Sequence, residues 1–276
     1  MDFGTIVRRH PVAAYFVTAF LISWAGALLV TGPRLLHGQA VGQTEGMLMF
    51  PVMLLGPSLA GIALTAVLDG RSGLRDLRAR LGRWQVDAGW HAALLIPPAV
   101  ILAVLLLLRY SLSPVFAPHL FPPGILFGTV AGFCEEIGWT GYAFPKMRTQ
   151  RSALSAAVLL GVLWGLWHAP VVDFLGAAYP HGAYWLPYFL AFVAVMTAIR
   201  VLIVWVYTNT QSVLVAQLLH ASSTGFLALL SPALMSPAQE ALWYAVYAAV
   251  LWVVVARVTY AYGRALMSAL LPVKVR

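Results

Sequence analysis

The chain has 276 residues, 61% of them hydrophobic and only 9% charged, with a mean hydropathy of +0.84. Soluble domains carry about 25% charged residues, so this composition excludes a soluble globular fold and indicates a membrane protein. The net charge of +8 does not point to nucleic acid, because the basic residues sit mostly in the short segments between apolar stretches.

Eight apolar stretches are long enough to cross a bilayer, near 12–32, 46–68, 90–108, 123–144, 153–170, 183–207, 212–230 and 239–262; each needs about 17–25 residues. They use up nearly the whole chain. The expectation is an all-α polytopic bundle of about eight transmembrane helices, a single membrane domain over 1–276. If the N-terminus lies inside, the inner segments hold Arg8, Arg9, Arg71, Arg75, Arg78, Arg80, Arg83, Lys146, Arg148, Arg151, Arg257, Arg264, Lys274 and Arg276. Outside are only Arg34 and Arg109, and Arg200 falls within a span. This positive-inside bias predicts cytoplasmic N- and C-termini, with the basic surface facing anionic membrane lipid and no nucleic-acid partner. Arg outnumbers Lys 15 to 2, which is compatible with a GC-rich bacterial gene and hence a bacterial plasma membrane.

Residues 1–10 form a basic lead-in, and Pro11 suits the first turn of the first span. That span has no A-x-A site after it and reads as a retained anchor rather than a cleaved signal. In the link 69–90, Leu74, Leu77 and Leu81 recur at helical spacing among arginines, with Trp84 and Trp90 following. The pattern predicts an amphipathic helix in the inner interface, a topology-setting device without chemistry. The third span contains Pro97 and Pro98 and reads as lipid-facing scaffold.

The fourth span carries adjacent Glu135 and Glu136. An acidic side chain at mid-membrane costs about 2.5–3.5 kcal/mol on insertion scales, so two in a row indicate function. Gly128, Gly132 and Glu135 lie on one stripe, and the fifth span repeats the offsets with Gly161, Gly165 and His168. Matching small-residue stripes predict that these two helices pack together and bring Glu135 beside His168. The sixth span adds Arg200; the seventh adds Gln217, His220 and Thr224. Cys134, the single cysteine, reads as a buried apolar residue, and His10, His37, His91, His119 and His181 as interfacial. From the residues alone, Trp164 and Trp167 read as packing or interfacial-belt residues rather than ligand contacts.

Two chemistries are open to this cluster. Glu135, His168 and His220 are ligand types that hold a catalytic zinc. Alternatively Glu135 takes a proton from water oriented by His168, while His220 and Thr224 stabilise an oxyanion. Either gives hydrolysis of a carbonyl compound inside the membrane.

Three segments also carry a resemblance: CEEIGWTGY at 134–142, LWGLWHAP at 163–170 and LLHASST at 218–224. They resemble the ordered motifs of the CPBP family, the CaaX-prenyl and bacteriocin-processing (Abi) intramembrane proteases, over a core of about 120–230. The resemblance implies an intramembrane endopeptidase acting on a peptide or membrane-protein substrate. It implies that Glu135 activates water with His168, that Glu136 is its structural partner, that Trp164 fills the aromatic position before His168, and that His220 is the oxyanion-side histidine. It leaves a metal open. Two positions depart from the pattern: Thr140 stands where the family has arginine and Thr224 where it has asparagine. Arg200 is expected to supply the missing cation to Glu136. The departures also permit a non-catalytic immunity or scaffold protein. A proton-coupled transporter is the third reading, weakened by the absence of a repeat between halves. Substrate entry is expected from the bilayer or the inner face.

Overall fold

The computed structural model describes residues 3–172, 181–232 and 234–267; Lys274 and Arg276 lie outside them. Within them the chain is helical, with no strand. A short α1 (Phe3–Arg9) leads into α2 (Pro11–Leu36), followed by α3 (Gln43–Leu81), α4 (Ala88–Ala92) and α5 (Ile96–Ser111). Then come α6 (Pro123–Gly138), a π-helical turn (Trp139–Ala143), α7 (Phe144–Met147), α8 (Ala153–Trp167), α9 (Trp185–Thr210), α10 (Val213–Leu230) and α11 (Pro237–Met267). Seven helices among the described residues are long and apolar enough to cross a membrane. The expected fourth span, 123–144, falls on the continuous helical run from α6 through the π turn to α7, which no single regular helix covers. The polytopic all-α architecture is as the hydropathy predicts.

Helix α3 is two helices joined at Gly70, whose φ of 64° and ψ of −153° are open to glycine and strained for any residue with a Cβ. The break ends the second span and turns the chain into the basic amphipathic helix anticipated over 71–81. That helix does more than lie in the interface. Leu77 is buried and packs at Gly141, while Arg80 donates to the Gly141 carbonyl and the Tyr207 hydroxyl, each at 3.0 Å. The amphipathic helix thus closes the basic end of the bundle.

The glycine stripes pack differently from the expectation. Gly124, Gly128 and Gly132 lie against α10: a Cβ on Gly128 would come within 2.2 Å of the Gly225 nitrogen, and one on Gly132 within 2.6 Å of the Gln217 carbonyl. Gly161 and Gly165 lie instead against Thr197 and Val193 of α9. Each stripe therefore has its own partner, and α6 and α8 do not meet through them. The physical reason is register. Spacing by four continues from Gly124, Gly128 and Gly132 to Glu136, so the stripe delivers Glu136 to α10 and leaves Glu135 on the adjoining face. The third span is likewise not pure scaffold, since Ile101, Val104, Leu105 and Leu108 are buried and α5 packs on α10 and α11.

Candidate active site

The two glutamates are both buried and occupy different networks. Glu136 is fully enclosed. Its Oε2 accepts from Arg200 Nη1 at 2.7 Å and from the Thr140 hydroxyl, and its Oε1 meets His220 Nδ1 at 2.7 Å. Thr140 lies one helical turn after Glu136 and reaches back along the helix. Arg200 arrives from α9 because Gly161 on α8 leaves room: a Cβ there would come within 3.1 Å of the Arg200 Cβ. The guanidinium lies 4.3 Å over the Trp164 ring, a cation–π contact that supplements its ion pair.

Glu135 faces the other way. Its Oε2 accepts the indole N–H of Trp139 at 3.0 Å and that of Trp164 at 2.6 Å. Two donors on one oxygen fix the carboxylate, and Oε1 has no hydrogen-bond partner among the described residues. Trp139 is held by Tyr15, in edge contact at 5.5 Å, and by Phe16, stacked at 6.0 Å. Trp164 is the hub of the site. Besides donating to Glu135, its carbonyl bonds His168 Nδ1 at 2.8 Å, and its ring meets those of His168 and His220 edge-on at 5.6 and 5.0 Å.

The partners assign the imidazole tautomers. A carbonyl only accepts, so His168 carries hydrogen on Nδ1. The Glu136 carboxylate, paired with Arg200, likewise accepts from His220 Nδ1. Both rings therefore offer Nε2 to the space beyond.

That space is a cavity of about 640 Å³ lined by Glu135, Trp164, His168, His220 and Thr224 at one end. Its walls are apolar, with Phe50, Phe127, Val171, Phe192 and Leu227 among them. At the other end His181 Nε2 lies 3.0 Å from Glu240, and its ring stacks on Tyr188 at 4.1 Å. His181 is therefore a buried cavity residue, not an interfacial one. Gln217 does not reach the cavity; it donates to the Phe133 carbonyl at 2.9 Å and ties α10 to α6. Cys134 is partly buried and does not line the cavity.

Zinc fits these residues by type. Each imidazole even has its Nδ1 held by an acceptor, as behind many metal ligands. The ligands do not converge: among the described residues no group of three His, Cys, Asp or Glu side chains stands close enough to hold a metal ion. The site as arranged does not fit the ion.

Residues 117–226 match the family model for type II CAAX prenyl endopeptidase Rce1-like proteins. The CAAX prenyl protease 2 of Methanococcus maripaludis is 25% identical over 230 residues, covering 77% of this chain and 82% of the relative. Both similarities support a CPBP-type intramembrane protease. A third similarity, to an aquaporin-8 of Botryotinia fuckeliana, is 28% identical over 140 residues and covers half of this chain and 42% of the aquaporin. It carries no argument about the site.

The likeness to CPBP proteases implies an intramembrane peptidase, and the matched region contains every polar side chain of the glutamate–histidine cluster. Sequence reading missed Trp139 as the second donor to Glu135, although its offset of four residues places it one helical turn away. It also missed the His181–Glu240 pair, for which the sequence offers no signal: the partners are 59 residues apart and meet only through the packing of α9 on α11.

Proposed function

We propose that Glu135 is the general base of peptide hydrolysis in this protein. The observation that carries this reading is its asymmetric carboxylate, with Oε2 pinned by two indoles and Oε1 open at the end of a largely apolar cavity. A water between Glu135 and His168 Nε2 gives one hydrogen to each acceptor. Glu135 takes the proton as the water oxygen attacks the peptide carbonyl, then returns it to the leaving amine. Neutral His220 has already committed its hydrogen to Glu136, so it donates to an oxyanion only as imidazolium. Glu136 behind it balances that charge, as the carboxylate does in a triad. The Thr224 hydroxyl adds a donor regardless of the state of the ring. Arg200 and Glu136 position this machinery without touching the reacting atoms. The substrate is a membrane-embedded peptide whose apolar side chains fill the cavity, and the basic loops and both termini face the cytoplasm.

Detergent-purified protein and a mixed peptide library test the reading. Glu135→Gln keeps an oxygen for the two indoles and is expected to unfold like wild type. Its cleavage should fall by about a hundred- to ten-thousand-fold, the usual weight of a general base. Chelator should leave wild-type cleavage unchanged; loss with chelator and recovery with zinc would replace this mechanism by a metal-dependent one. Folded wild type that cleaves nothing across a broad library would leave the immunity or scaffold reading in its place.

A further inference from the structure

The two ends of the bundle differ around the site. Towards the basic loops the glutamates rest on a closed floor of Tyr15, Trp139, Tyr142 and Ala143, none more than 2% exposed. Beneath it the backbone itself is packed shut: a Cβ on Gly138 would come within 2.1 Å of the Pro57 carbonyl. Arg80 then clamps the Gly141 carbonyl to the Tyr207 hydroxyl, and Ser212 donates to the Arg83 carbonyl. A peptide cannot reach Glu135 through this end without unpacking it.

Towards the opposite end the cavity continues past Thr224 to the α10–α11 link, where it is lined by Ser231, Pro232, Leu234 and Met235. Leu234 is 83% exposed, so the cavity reaches the protein surface there. The His119 and Phe121 backbone amides bond to the Leu230 and Leu229 carbonyls, which puts the α5–α6 link at the same end. The links 37–42, 112–122 and 231–236 contain no Lys or Arg, whereas 71–83 and 146–151 contain eight. Cytoplasmic loops are the ones enriched in Lys and Arg.

We propose that the site is served from the extracytoplasmic face, and that its substrates are peptide segments presented on that side of the membrane. This rests on the hydrolytic reading for the word substrate, but not for the orientation of the mouth. Of the two routes expected from sequence, the bilayer or the inner face, the closed floor disfavours the second. A segment arriving through the mouth passes the His181–Glu240 pair, which suits a polar flank, and then places apolar side chains in a volume within the usual range of about 300–1,000 Å³ for ligand sites.

The test uses the full chain with Cys134→Ala as a cysteine-free background. Leu234→Cys marks the mouth and Trp84→Cys the basic end, where Trp84 is 65% exposed. A membrane-impermeant maleimide should label Leu234→Cys in intact cells and Trp84→Cys only after permeabilisation; the reverse pattern overturns the proposal. A second arm places the reagent in the route. Ser231→Cys carrying a bulky maleimide should no longer cleave peptides, while Trp84→Cys modified in the same way keeps its activity. Unchanged cleavage by the blocked Ser231→Cys protein would show that substrate does not enter by this mouth. Labelling needs no turnover, so a protein that cleaves nothing would count against the hydrolytic reading while the orientation still reads out.

Discussion

At the scale of single residues, adjacent glutamates point about 100° apart on a helix, and the surroundings give them separate work. Glu135 is fixed but has a free oxygen; Glu136 has both oxygens engaged by Arg200, Thr140 and His220. Thr140, at the position where the motif it resembles has arginine, gives Glu136 a hydroxyl, and the cation reaches the same carboxylate from another helix. Breaking a buried pair by removing one partner costs about 3–5 kcal/mol, because the remaining charge is left uncompensated. Arg200→Ala is therefore expected to lower the thermal unfolding midpoint sharply and to abolish cleavage. Adding Thr140→Arg in that background puts a guanidinium one turn from Glu136, where α9 has vacated space, and should recover part of both losses. An Arg200→Ala protein as stable and active as wild type would remove Arg200 from the account. The residue types of the cluster were legible because charge inside a span is costly, and Arg200 stood out for that reason. Trp139 was not, and Trp164 stood out only through the resemblance, since tryptophan is common in membrane helices for its packing and interfacial behaviour alone.

Helices show where sequence spacing runs out. Small residues four apart announce a close helix contact but do not name the partner. Both stripes are real interfaces, with α10 for one and α9 for the other, and the site is assembled because α10 and α9 deliver His220 and Arg200 to one glutamate. The eight apolar stretches were legible because each satisfies the length that a bilayer imposes. The π turn after Gly138 was not, since nothing in its composition separates it from the helix it interrupts. Gly128→Val tests the α6–α10 interface. Its side chain would meet backbone at Gly225 and Ala221 rather than a movable side chain, so the helices have to separate. Overpacking costs about 1–3 kcal/mol where neighbours can adjust, and more is expected here because backbone cannot. The protein should melt earlier and lose cleavage together. Gly32→Val, with nothing within 4 Å of its added Cβ, is the control and should change neither.

For the molecule as a whole, the closed floor separates hydrolysis from transport. A carrier of the alternating-access kind opens one site to each face in turn, with an ionisable group free to take up and release its ion. Here Glu136 is locked on three sides, and among the described residues the large cavity beside Glu135 leads to one end of the bundle. The other end is held by backbone contact at Gly138 and by Arg80 bridging three segments of the chain. Hydrolysis needs none of this to move, because water and a peptide enter by the same mouth and the products leave by it. Cleavage by the protein in proteoliposomes should therefore run at the same rate with a proton gradient imposed in either direction, and with that gradient collapsed by a protonophore. A rate that followed the gradient would mean that the floor opens during the cycle, and that the glutamates face both sides of the membrane in turn.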